Sequence, residues 1–166
     1  MAINTKGVQG RREVHYRTPQ EVLVDARQLA EAEHIETLGN WSPGQIFDHL
    51  AKAFDMAIDG ADFRAFFLLR WFATLFLKRK FLERGLPPGL PTNECFVPEP
   101  IDNDAGLARL EDAIGRYLQD PRRGLHPIFG KLTPEEWTQF QLRHCEMHMS
   151  FLKVQQDVTA PATADV

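Results

Sequence analysis

Cysteine is nearly missing from this chain: 166 residues hold two, Cys95 and Cys145, fifty positions apart and in no CxxC spacing. Neither a disulfide framework nor a thiolate zinc site is indicated, and two free thiols suit a reducing cytoplasm. Positive charge is short too. Nineteen Lys and Arg face 23 Asp and Glu, and the net charge of −4 speaks against a nucleic-acid partner. Long apolar runs are also lacking, since the richest, Phe66 to Leu77, is only 12 residues and is interrupted by Arg70. No membrane span is expected from it, and Met1 to Arg12 has no apolar core of a signal peptide. Strand alternation and hairpin turns are absent as well, so the expected fold class is all-α.

What is present is a repeated helix-start grammar. Thr18-Pro19-Gln20-Glu21, Ser42-Pro43-Gly44-Gln45 and Thr133-Pro134-Glu135-Glu136 each place a hydroxyl cap, a proline at the first helical position, and Glu or Gln three residues after the cap. Apolar spacing predicts helices over 19–32, 43–59 and 134–156, with two more over 63–83 and 104–118. At 43% hydrophobic residues the chain can form one core without a metal, so a metal site would point to function. The economical architecture is a helix bundle. We expect a flexible segment over 1–10, one helical domain over 11–157 and a disordered tail over 158–166. Five of the 11 prolines fall between Leu86 and Ile101, a strap or lid too long for a simple turn.

Histidine placement is the chemical signal. At about 100° per residue, Trp137, Phe140, Gln141, His148 and Phe151 lie within roughly 60° of His144, and Ser42, Gln45, Ile46, Ala53 and Met56 surround His49. Both faces are mainly apolar or neutral, and three interior imidazoles are hard to satisfy from helical backbone. HxxxH at His144 and His148 offers two nitrogens side by side, and His49 on a facing helix supplies a third. Three nitrogens with an open position suit a catalytic divalent metal, Zn²⁺ or Ni²⁺ first, with Mn²⁺ or Fe²⁺ as further choices. Core histidines held by local hydrogen bonds are the plainer alternative. No carboxylate shares either seam, which speaks against a 2-His-1-carboxylate iron site.

NWSPGQIFDHLAKAF (40–54) and LTPEEWTQFQLRHCEMHMSFL (132–152), together with RREVHYRTPQEVLVDA, PPG and HPIFGKLTPEEW, resemble the DinB/YfiT-like metalloprotein superfamily over about 11–152. More narrowly they resemble a bacterial subgroup of uncharacterised function. The resemblance implies an up-and-down four-helix bundle, a metal site at His49, His144 and His148, and often a homodimer. Characterised relatives include transferases and isomerases that use low-molecular-weight thiols such as bacillithiol, mycothiol or glutathione. A small-molecule substrate is therefore expected, with thiol transfer or hydrolysis as the reaction. A non-catalytic metal- or ligand-binding, stress-related protein is the alternative.

Around the proposed ligands, Gln45 and Gln141 are candidates to orient an imidazole or bound water, although Gln45 is also placed to cap its helix. His126 and Glu94, in the two loops nearest a bundle end, are candidates for proton acceptor or substrate contact, against the plainer reading of ordinary loop residues. Cys145 turns off the seam and is expected to be packed rather than nucleophilic. Residues 63–84 hold six Lys or Arg and one Glu, so the rest of the chain carries about −9 against their +5. Burial of this segment's apolar residues on two sides, by the bundle and by a dimer partner or the strap, is expected over membrane binding.

Overall fold

The computed structural model describes residues 2–91 and 93–154. The tail expected to be disordered lies outside them. In chain order the elements are α1 (Pro19–Ala30), β1 (Ile35–Thr37), α2 (Pro43–Asp59), α3 (Phe67–Phe76), α4 (Lys78–Arg84), α5 (Asn103–Gln119), α6 (Pro134–Met149) and β2 (Leu152–Val154).

All three helices begin at the prolines the hydroxyl-proline signals mark, but the capping box expected at Thr18 is only half formed, because the Glu21 carboxylate accepts from Arg17 N–H instead of Thr18 N–H. Thr18 Oγ1 accepts from Glu21 N–H, and Ser42 and Thr133 form complete capping boxes with Gln45 and Glu136. Each box satisfies two backbone donors that a helix start would otherwise leave open.

Helices α1, α2, α5 and α6 form the bundle core. Phe47, Leu50 and Phe54 of α2 meet Leu110, Ile114 and Tyr117 of α5, with Val22, Leu29, Trp137 and Met149 closing the interior. The α2–α5 contact is made backbone to backbone: a Cβ on Gly44 would lie 2.6 Å from the Ile101 and Asp102 carbonyls, and one on Gly106 would collide with Gly44 itself. Only glycine allows that approach.

Two helix boundaries depart from the expectation. The predicted 63–83 helix is two helices, with α3 ending at Phe76 and α4 beginning at Lys78 after Leu77 at φ −107°. The predicted last helix, drawn to residue 156, ends at Met149. Its final turn is held by the N-terminal segment: Arg11 donates to Met147 O and Ser150 Oγ, and Arg12 N–H donates to Ser150 O at 2.9 Å. The chain then turns into β2, which pairs antiparallel with β1 through Ile35–Val154, Glu36–Lys153 and Thr37–Leu152. Three-residue strands are too short to show a period, which is why no strand was expected.

The RREVHYR segment is a clamp on α1 and α6. Arg12 forks onto both Asp25 oxygens at 2.9 and 2.7 Å, the Tyr16 hydroxyl donates to the same carboxylate, and Glu146 accepts Tyr16 N–H at 2.8 Å. Helix α4 joins the bundle through buried Leu82 and the Lys78–Glu136 ion pair at 2.6 Å. Helix α3 buries Ala73 alone. Its large apolar residues are masked by neither the bundle nor the strap, so of the cover expected for them this chain supplies none.

Candidate metal centre

His49 sits in the second turn of α2 and His144 and His148 in the last turns of α6, so two capped helices set their relative heights. The three rings converge. His144 Nε2 lies 3.2 Å from His49 Nε2 and 3.1 Å from His148 Nε2, and the three potential ligand nitrogens all lie within 4.8 Å of one another.

Tautomers decide what this cluster can hold. His49 Nδ1 donates to Phe96 O at 2.8 Å, which leaves the His49 Nε2 lone pair facing His144. A single proton on His144 Nε2 cannot point along both of its contacts, and His144 Nδ1 is buried with no hydrogen-bond partner among the described residues. Protonation offers no escape, because burial pushes all three imidazoles below their ordinary value, with the neighbouring histidines adding to the effect at His144 and His148. A cation does. Three nitrogens about 2.1 Å from one divalent ion stand about 3.0 to 3.4 Å apart, and the His144 Nε2 distances to His49 Nε2 and His148 Nε2 both fall in that range.

The walls of the site are apolar. A cavity of about 390 Å³ is lined by the three histidines and by residues such as Phe63, Phe81 and Phe140. Trp41 stacks on His148 at 5.4 Å between ring centroids, with 12° between the planes. No Asp, Glu, Lys or Arg lines the cavity among the described residues. The strap supplies one wall through Pro88, Gly89, Leu90 and Phe96.

Gln45 completes the α2 capping box and donates to Pro98 O at 3.2 Å, so it holds the strap rather than an imidazole. Gln141 donates to Ala53 O at 2.7 Å and ties α6 to α2, and among the described residues it makes no hydrogen bond to a histidine. The orienting partner is instead the Phe96 carbonyl, a backbone atom that no residue type announces. Glu94 is exposed on the strap and stands outside the cavity lining.

His126 does line the cavity, but not as a proton acceptor. Its Nδ1 accepts from Ile128 N–H at 3.1 Å and Phe129 N–H at 3.0 Å, inside a turn closed by the His126–Gly130 backbone pair. The ring proton is thereby fixed on Nε2. Packing against Phe129, Trp137 and Phe140 buries the ring, and burial lowers its pKa to about 3. His126 is a neutral hydrogen-bond donor at physiological pH. Cys145 is fully buried and burial pushes its thiol well up, so it is packed rather than nucleophilic, as expected.

No curated protein and no solved structure matches the chain. One family model does, described as "Protein of unknown function (DUF1569)", over residues 8–155. That span contains all three clustered histidines, the RREVHYR clamp and the His126 turn, and the chain belongs to this family.

Proposed function

We propose that His49, His144 and His148 bind one divalent metal ion through Nε2, Zn²⁺ or Ni²⁺ by choice, in a metal-dependent enzyme that activates a thiol or water. The observation that carries the reading is the convergence of three neutral Nε2 atoms with the His49 Nδ1–H bond to Phe96 O fixing one of them from behind. A bound divalent ion supplies Lewis acidity, lowering the pKa of a thiol or water at its open position.

The chain's own residues do the rest. The apolar walls exclude water and favour a substrate with a hydrocarbon or aromatic part. His126 Nε2–H donates to an acceptor atom of the substrate and, being neutral, stabilises charge that develops there without competing for a proton. Among the described residues the cavity lining holds no carboxylate to take a proton from a nucleophile, which favours a thiol, acidic by itself, over water. Thiol transfer from a low-molecular-weight thiol to a small electrophile is thus the preferred reaction. The same lack of an acid–base pair is what favours the second reading, a non-catalytic protein that holds metal and an apolar ligand.

Elemental analysis tests the site. Protein purified without chelator and offered Zn²⁺, Ni²⁺ or Mn²⁺ is expected to hold near-stoichiometric metal as wild type and to lose it as folded His49→Ala and His148→Ala variants. No metal under any loading sinks the proposal. For the chemistry, zinc-loaded wild type is screened with thiols and apolar electrophiles, and absence of turnover alongside tight ligand retention assigns the second reading.

A further inference from the structure

Helix α3 presents an apolar surface that the rest of the chain does not use. Every large apolar residue from Phe66 to Phe76 is half exposed or more, from 50% at Phe72 to 65% at Phe66, Phe67 and Trp71. Large side chains offer about 150–250 Å² each, so on the order of 900 Å² of apolar surface is open here. The largest patch on an ordinary monomer is about 300–600 Å². The exposed residues of α3 spread over about 200° of the helical wheel, and only Ala73 and Arg70 turn inward, Arg70 against Gly130.

Charge identifies the occupant. Exposed Arg64 precedes the helix, and exposed Lys80 and Arg84 follow it. None of the three has a carboxylate partner among the described residues. A second copy docked symmetrically on this face would bring the same cations of both chains together. An anionic lipid surface takes both features at once: the apolar arc enters the acyl boundary, Trp71 lies at the headgroup level, and the flanking cations meet phosphates.

We propose that α3 docks the protein on an anionic lipid surface. The helix is anchored beside the cavity, since Ala65 N–H donates to Pro127 O at 3.1 Å, and Phe63 and Phe81 on either side of α3 line the cavity wall. Docking therefore brings the Phe63 and Phe81 wall of the cavity close to the lipid surface. This stands apart from the metal reading, because none of the docking residues is a histidine of the cluster.

The test is co-sedimentation of the full chain with vesicles of equal parts phosphatidylglycerol and phosphatidylcholine, beside vesicles of phosphatidylcholine alone, with analytical ultracentrifugation in parallel. Wild type is expected to bind the anionic vesicles about tenfold more strongly, and less so as salt rises. Trp71→Glu with Phe72→Glu changes two exposed side chains; it should melt as wild type does and lose vesicle binding. Arg64→Gln with Lys80→Gln should fall to the level seen with phosphatidylcholine. Brominated acyl chains should quench wild-type fluorescence more than that of Trp71→Phe. His49→Ala should bind vesicles as wild type does, which separates this test from that of the metal site. Failure to sediment with anionic vesicles at low salt overturns the proposal, as does undiminished binding by the double Glu variant. Equal binding to both vesicle types overturns it too, since the surface would then not be chosen by its charge, and a stable dimer that leaves vesicles unbound overturns it by assigning the face to a second copy.

Discussion

An imidazole can be acid, base, ligand or fixed donor, and at His126 two backbone N–H groups make the choice. The consequence is measurable as acid sensitivity. Its pKa falls from 6.5 in the unfolded chain to about 3 in the fold, so between those values the unfolded state binds more protons and stability drops as pH falls. The slope is at most about 1.4 kcal/mol per pH unit. His126→Asn keeps an oxygen to accept the two N–H groups and does not titrate. In urea denaturation of metal-free protein, its loss of stability between about pH 7 and pH 5 is expected to be about 1–2 kcal/mol smaller than that of wild type. An equal loss in both proteins would show that His126 is not the group concerned. Residue identity was enough to single out His49, His144 and His148, because their positions on the wheels are sequence properties. The duties of Gln45, Gln141 and Glu94 were not legible, since each depends on which backbone atom lies opposite. The Phe96 carbonyl was invisible for the same reason.

Helices α2 and α6 owe their starts to local chemistry, and their starts fix the heights at which the histidines meet. Thr133→Ala removes the hydroxyl half of a capping box and should cost about 1 kcal/mol in chemical denaturation. Gly106→Ala pushes a methyl group into the Gly44 backbone and should cost about 1–3 kcal/mol, with a shifted α2–α5 contact. Gln45→Ala reaches further, for it also frees Pro98 of the strap that carries the Phe96 carbonyl. Zinc affinity measured by chelator competition should then weaken about tenfold although no ligand is changed. Unaltered affinity would detach the strap from the site. The starts of α2 and α6 are legible in the sequence because a hydroxyl, a proline and a carboxyl or amide act within four residues. The stop at Met149 is not, because its carbonyls are satisfied by Arg11 and Arg12, well over a hundred residues away in sequence.

For the molecule as a whole, one ion at the cluster would join α2 to α6 and, through His49 and Phe96, to the strap. Zinc at about a hundred times its dissociation constant should raise stability by about 2.7 kcal/mol. In a chain of this size that is about 5–10 °C in melting temperature. Chelator should reverse it, and His148→Ala should show no shift. Charge is divided on the same scale: the cations of 63–84 sit on an otherwise acidic chain, around an apolar helix that the bundle leaves bare. Among the described residues no helix is long and apolar enough to cross a membrane.

Neighbouring residues alone set the class of fold, the starts of three helices and the three histidines that share an interior seam. These follow from interactions within a helical turn and from the 3.6-residue period, both written in neighbouring residues. Which ring nitrogen carries a proton, which carbonyl holds His49, where α6 stops and which apolar face the bundle leaves bare are settled by packing. Those outcomes depend on groups brought together from distant parts of the chain, and on where the packed bundle ran out of surface to bury.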